Sequence, residues 1–238
     1  MATVSSSSGP WPADSADSER IGSGQEDEWD VADLGDRCLY LCTPDRPDLE
    51  QFVDACISGG VDIVQLRDKD LDARPLLARA RLVRNVCRHH GVPFILNDRP
   101  DLALEAEADG VHVGQTDAPP SLARRILGPD AIVGLSTHAP NDLDDSLEEP
   151  IDYFSAGPVT QTPTKPGRPG TGLRYLTYVV ERAKTPWFVT GGVNPDSLKM
   201  MAAAGARRFV VVRHLTGAED PKAAATQLRA AIDNALNR

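Results

Sequence analysis

Val61-Asp62-Ile63-Val64-Gln65-Leu66-Arg67-Asp68-Lys69 begins apolar and β-branched and ends cationic. Side chains alternate between faces along a strand, so Ile63, Gln65, Arg67 and Lys69 share one face that turns from apolar to charged. Such a strand has its start in a core and its end at a mouth. Seven further short apolar or β-branched runs predict strands at Cys38–Thr43, Pro93–Asp98, Gly110–Gln115, Ala131–Thr137, Tyr153–Val159, Trp187–Gly192 and Arg208–Leu215, against Val61–Arg67 for the quoted one. Longer helical patterns separate them, and this alternation is that of parallel βα units. Eight units in about 200 residues predict a single α/β domain over residues 36–238, folded as a (β/α)8 TIM barrel. A doubly wound sheet would carry a GxGxxG after its first strand, where this chain has Pro44-Asp45-Arg46.

The helices announce themselves through spacing and caps. Leu76, Ala80, Val83 and Cys87 recur at helical intervals with Gly91 just beyond. Asn194 before Pro195, and Asp220 before Pro221, each read as an N-cap followed by proline in the first turn. Residues 1–35 are different in kind, rich in Ser, Gly and acid, and are expected to form a disordered tail because they cannot bury enough apolar surface to offset chain entropy. Trp11 and Trp29 are its aromatic residues.

The net charge is −10, of which the tail supplies seven through eight acids against Arg20 alone. That balance argues against a nucleic-acid partner, which would select a basic stripe, yet leaves the rest of the chain near enough to neutral for a small anion. No run of about 18 apolar residues and no basic-then-apolar leader occur, so no membrane partner is expected and the cytoplasm is the expected location. Cys38, Cys42, Cys56 and Cys87 lack CxxC spacing and sit in apolar runs, as free buried thiols would. The five histidines show no zinc-ligand spacing.

Ligands of such barrels lie at the C-terminal strand ends. There the second strand offers Gln65, Arg67 and Lys69, a set suited to phosphate or equally to a solvated strand end. The third ends Asn97-Asp98 and the fourth leads to Asp117. Two carboxylates from neighbouring strands suit Mg²⁺, which takes one or two and fills its shell with water and phosphate oxygens. The plain alternatives are a turn or cap before Pro100 for Asp98 and an N-cap of the helix through Leu122–Leu127 for Asp117. The connection after the sixth strand, with Thr162, Thr164 and Lys165, is too long for an ordinary βα loop and reads as functional. Gly191-Gly192 after strand seven, and Val212-Arg213 after strand eight, stand where barrel enzymes commonly hold a phosphate.

VQLRDK, ILND, DGVHVGQTD, VGLS, GPVTQTPTK and TGGV follow one another on successive strand ends, and together they resemble thiamine-phosphate synthases from about residue 38 to 216. The resemblance implies an enzyme that condenses 4-amino-2-methyl-5-hydroxymethylpyrimidine diphosphate with 4-methyl-5-(2-hydroxyethyl)thiazole phosphate, giving thiamine phosphate and diphosphate. It implies that Gln65, Arg67, Lys69, Asn97 and Ser136 contact the pyrimidine diphosphate and that Asp98 and Asp117 bind one Mg²⁺ per subunit. Thr162 and Thr164 would hold the thiazole phosphate with Gly192, Val212 and Arg213, and Lys165 would reach the diphosphate. Arg67, Lys69, Lys165 and Ser136 are the expected catalytic residues.

Three departures fall at the thiazole end. Val212-Arg213-His214-Leu215 stands where relatives read VVSA, Thr190 replaces a branched apolar residue, and Thr160-Gln161 replaces an aromatic and a proline. Arg213 either forks onto the phosphate or points outward. Two rivals share the barrel: a thiazole tautomerase, for which the two acids and the Gln65-Arg67-Lys69 set have little purpose, and a non-catalytic phosphate-binding sensor. A homo-oligomer stays open, with Met200 and Met201 as apolar residues serving either a subunit contact or the core.

Overall fold

In the computed structural model, residues 34–163, 167 and 169–237 are described. The tail, with Trp11 and Trp29, lies outside them except for Leu34 and Gly35. Eight parallel strands, β1 (Leu39–Thr43), β2 (Ile63–Leu66), β3 (Phe94–Asn97), β4 (Gly110–Val113), β5 (Ile132–Thr137), β6 (Tyr153–Ala156), β7 (Trp187–Val189) and β8 (Phe209–Val211), close in sequence order into a barrel. Pairing of Leu39, Tyr40 and Leu41 with Phe209, Val210 and Val211 seals it. The helices α1 (Leu49–Ser58), α2 (Ala73–His90), α3 (Pro100–Glu105), α4 (Pro120–Leu127), α5 (Pro140–Ser146), α6 (Gly172–Arg182), α7 (Pro195–Ala203), α8 (Arg213–Thr216) and α9 (Pro221–Leu236) follow the strands.

Two apolar layers result from the alternation of side chains. Inside the barrel, Tyr40, Ile63, Ile95, Ile132, Tyr153 and Phe188 pack together with Leu34, which is buried at the start of the described chain. Between strands and helices lies the larger core, to which Leu76, Ala80, Val83 and Cys87 bring the α2 stripe. Gly91 ends α2 in the left-handed region, φ 66°, a conformation that costs a residue without Cβ little. Asn194 caps α7 by accepting from the Asp196 and Ser197 amides, and Ser197 completes a capping box; Asp220 accepts from the Ala223 amide at the start of α9. All four cysteines are free and buried. Met201 is in the core and Met200 is exposed.

The strands are shorter than the sequence pattern suggests, chiefly at their C-terminal ends. The largest correction is at β8. Pairing stops at Val211, and Arg213–Leu215, expected as strand, belong with Thr216 to the turn of helix α8, closed by bonds from the Leu215 and Thr216 amides to the Val212 carbonyl. At the opposite face a regular device fixes register. Asp62, Asp109 and Asp152 each precede an even-numbered strand and accept amide hydrogen bonds from the preceding strand's start: Cys38 and Leu39, Phe94, and Val133.

Candidate active site

The barrel's alternation carries Gln65 and Arg67 from the buried Ile63 up to the mouth. There they line a cavity of about 50 Å³ with Asn97 and Ser136. The apolar floor beneath them is aromatic: Tyr40, Tyr153 and Phe188 meet edge to face, with centroids 5.3–6.0 Å apart. Their polar atoms form a continuous chain. The Cys42 thiol donates to Gln65 Oε1 (3.2 Å) and Gln65 Nε2 to the Tyr40 hydroxyl (2.8 Å), which lies 2.8 Å from the Tyr153 hydroxyl. The last is 3.0 Å from His112 Nδ1, and His112 Nε2 is 2.9 Å from Ser136 Oγ. Burial above all pushes both tyrosine hydroxyls up from their ordinary value, so they serve as neutral donors and acceptors. This chain fixes the orientation of Gln65 and Ser136 from opposite sides of the barrel. Gly134 makes room for it, since a Cβ there would lie 2.2 Å from the Tyr153 ring.

Sequence reasoning missed Tyr40, Cys42, His112 and Tyr153. Strand parity would have found them: Tyr40 and Cys42 pair with Ile63 and Gln65, Asn97 with His112, and Gly134 with both His112 and Tyr153.

Beside this cavity Lys69 Nζ lies 2.6 Å from Asp98 Oδ2. Asp98 follows β3 with φ 63°, left-handed for a residue with a side chain, and caps no helix. Asp117 does not cap α4, whose N-cap is Pro119; its Oδ2 accepts from the Gly114 amide (2.9 Å) and closes the turn after β4. Neither acid caps a helix, though Asp98 does stand at the centre of a tight turn closed by the Arg99 amide donating to the Asn97 carbonyl (2.8 Å). Burial raises the Asp98 carboxyl above the usual carboxylate range; Lys69 opposes this, and the neighbouring Asp117 adds to it. Two hard oxygen donors crowded against each other fit a divalent cation such as Mg²⁺, whose charge would relieve the repulsion. Asp68 holds the intervening loop in place by accepting from the Asp45, Asp70 and Leu71 amides.

A second cavity, about 270 Å³, adjoins the first, sharing Thr190, Val210 and Val212 as walls. Thr162, Gly192 and Arg213 line it as well. Gly192 adopts φ 77°, and a Cβ on it would strike the Thr160 side chain at 2.0 Å, so the close approach of the β6 and β7 loops requires glycine there. The Gly192 carbonyl turns away to accept from Asn194 Nδ2 (3.2 Å) and Ser197 Oγ (2.8 Å). Thr164 and Lys165 lie outside the described residues. The remaining expected residues gather at one end of the barrel, in two adjoining cavities and a charged rim.

The sequence-family description of thiamine monophosphate synthase matches residues 39–215. A thiamine-phosphate synthase of Thermobifida fusca is 52% identical over 196 residues, covering 80% of this chain and 90% of its own. One from Thermus thermophilus is 49% identical over 197 residues, covering 80% and 95%. Among solved structures, the thiamine phosphate pyrophosphorylase of Pyrococcus furiosus superposes with TM-score 0.77 at 29% identity, covering 84% of this chain and 98% of its own. A 3-hexulose-6-phosphate synthase, at 22% identity and TM-score 0.61, shares the fold alone. With the barrel, the strand-end motifs and these relatives in agreement, the chain belongs to the thiamine monophosphate synthase family.

Proposed function

We propose that the chain joins 4-amino-2-methyl-5-hydroxymethylpyrimidine diphosphate to 4-methyl-5-(2-hydroxyethyl)thiazole phosphate with Mg²⁺ as its cofactor. The observation that carries this reading is the adjacency of the two cavities, which lets two reactants meet at the wall formed by Thr190, Val210 and Val212. The pyrimidine lies over the Tyr40–Tyr153 floor with Gln65, Asn97 and Ser136 at its polar edge. Its diphosphate faces Arg67, Lys69 and Lys165. The thiazole phosphate is held by Thr162, Thr164, Gly192, Val212 and Arg213.

In the reaction the bond between the pyrimidine methylene carbon and the diphosphate oxygen breaks, and that carbon bonds to the thiazole nitrogen. The nitrogen attacks with a free lone pair and loses no proton, so no general base is needed. Catalysis then consists of stabilising the departing anion and aligning the reactants. Arg67 and Lys69 supply preorganised positive charge, Lys165 adds a third cation, and Mg²⁺ held by Asp98 and Asp117 would neutralise the leaving group further. Ser136, oriented by His112, holds the pyrimidine in line.

Among the described residues no helix is long and apolar enough to cross a membrane. On this reading the enzyme works in the cytoplasm, alone or as a homo-oligomer, with the acidic tail that precedes Leu34 outside the catalytic domain. Incubation with both substrates and Mg²⁺ should release diphosphate in step with thiamine phosphate, and EDTA should abolish both. A tautomerase would convert a thiazole without releasing diphosphate, and a sensor would bind without product; either result would replace this reading.

A further inference from the structure

We infer that Tyr153 is a positioning residue for the pyrimidine substrate: through the His112 ring it fixes the Ser136 hydroxyl as a hydrogen-bond donor toward the cavity. This role rests on the function proposed above, in which Ser136 contacts that substrate, and adds to it the direction in which the buried chain of hydrogen bonds runs.

The protons of the chain set that direction, since a phenol has one hydrogen to donate and a buried hydrogen without an acceptor is costly. Gln65 Oε1 accepts from the Cys42 thiol, so the amide turns Nε2 toward the Tyr40 hydroxyl (2.8 Å) and meets that oxygen as a donor. The Tyr40 hydrogen then has the Tyr153 oxygen, 2.8 Å away, as its acceptor. Tyr153, already accepting from Tyr40, sends its own hydrogen to His112 Nδ1 at 3.0 Å. With Nδ1 accepting, the ring carries its hydrogen on Nε2 and donates it to Ser136 Oγ at 2.9 Å. Ser155 Oγ donates to the same oxygen at 3.5 Å. Both lone pairs of the Ser136 oxygen are engaged, and its hydrogen is left to the cavity.

Strand parity places that hydroxyl inside the barrel. Gly134, two residues earlier on β5, is where a Cβ would meet the Tyr153 ring, so Ser136 projects to the same inner face. Ser136 lines the cavity of about 50 Å³ with His112, Ser155, Gln65 and Asn97, and keeps 6% of its surface exposed there. The acceptors of the pyrimidine diphosphate, its ring nitrogens and phosphate oxygens, match a donor at Ser136. A chain running the other way would make Ser136 an acceptor, able to pair only with the amino group on the ring.

Heteronuclear NMR of the nitrogen-labelled, ligand-free protein, with the His112 signals assigned by their loss in His112→Gln, reads which ring nitrogen carries the hydrogen. A hydrogen on Nε2 alone is expected; one on Nδ1, or on both nitrogens, would overturn the inference whatever reaction the chain performs. Calorimetric binding of the pyrimidine diphosphate then compares wild type, Tyr153→Phe, Ser136→Ala and the double variant. Tyr153→Phe keeps the ring and its packing. It should weaken binding about tenfold in the wild-type background and less than about twofold in Ser136→Ala, because a residue acting through Ser136 has nothing to act on once that hydroxyl is gone. KM for the thiazole phosphate should stay unchanged. Equal losses in both backgrounds, or no loss in either, would make Tyr153 a residue of the fold alone. A wild-type protein that did not bind this ligand would instead remove the proposed function, and the NMR result would still decide the direction of the chain.

Discussion

Asp98 is where sequence and geometry converge most closely at the residue scale. Its carboxyl is raised by burial, paired with Lys69 at 2.6 Å and crowded by Asp117, on a backbone at φ 63°. Such a placement supports the proposal that Asp98 serves a ligand rather than the fold. Asp98→Ala and Asp117→Ala should therefore each lower kcat at least about a hundredfold, the scale of losing a charged contact to a developing anion, with the circular dichroism of the barrel unchanged. Retention of near-normal turnover by either variant would remove that acid from the proposed metal site. Arg67, Asn97, Asp98 and Asp117 were readable from sequence because charged or amide side chains at predicted strand ends stand out. Tyr40, Cys42, His112 and Tyr153 were not, because tyrosine and cysteine in apolar runs read as core, and the Tyr40–Tyr153 hydrogen bond joins residues 113 positions apart.

Elements were more legible than their limits. β-branched and apolar runs identify all eight strands, but at six of them the pattern continues after the ladder has ended, so those ends were read too far, whereas β1 and β5 end at Thr43 and Thr137 as expected. At β8 the run Val210-Val211-Val212 signals strand, and no Gly or Pro marks the turn into Arg213–Thr216. The aspartates below β2, β4 and β6 show how register is set where no ligand binds. Asp109 tests this device through pH. Its carboxyl is pushed up from the ordinary value, burial being the largest cause, opposed by the hydrogen bond from the Phe94 amide (2.7 Å) and by Arg84 and Arg88. A raised folded-state value stabilises the fold fully only below the unfolded value of ~3.9, and that contribution is lost as pH rises through the folded value. Asp109→Asn keeps an oxygen to accept from Phe94 but carries no charge. The Tm of wild type relative to the variant should accordingly fall between pH 4 and pH 7. Parallel Tm profiles for the two proteins over that range would refute this account of Asp109.

Over the whole molecule, the closed ring brings residues from the ends of seven strands, β2 to β8, to one mouth, an arrangement that follows from strand order alone once eight βα units are recognised. The sequence could not show how the mouth divides, because two cavities sharing Thr190, Val210 and Val212 arise from the shape of the walls rather than from any motif. It could not show either that Leu34, in a segment expected to lie outside the domain, is buried among the inner residues of the barrel. The mouth should behave thermodynamically as one charged site. Under the proposed function Mg²⁺ would reduce the mutual repulsion of Asp98 and Asp117 and would also pair with diphosphate, so each should strengthen binding of the other by the same factor. Ligand at a hundred times its Kd adds about 2.7 kcal/mol to the stability of the folded state. For a domain of this size that corresponds to a rise in Tm of roughly 5–10 °C. Thermal unfolding with Mg²⁺ and inorganic diphosphate together should show such a rise, larger than the two separate shifts combined, and Asp98→Ala should abolish the excess while leaving the shift from diphosphate alone. Strictly additive shifts in the wild-type protein would mean that the two acids and the anion site are thermodynamically independent, and the single charged mouth would have to be abandoned.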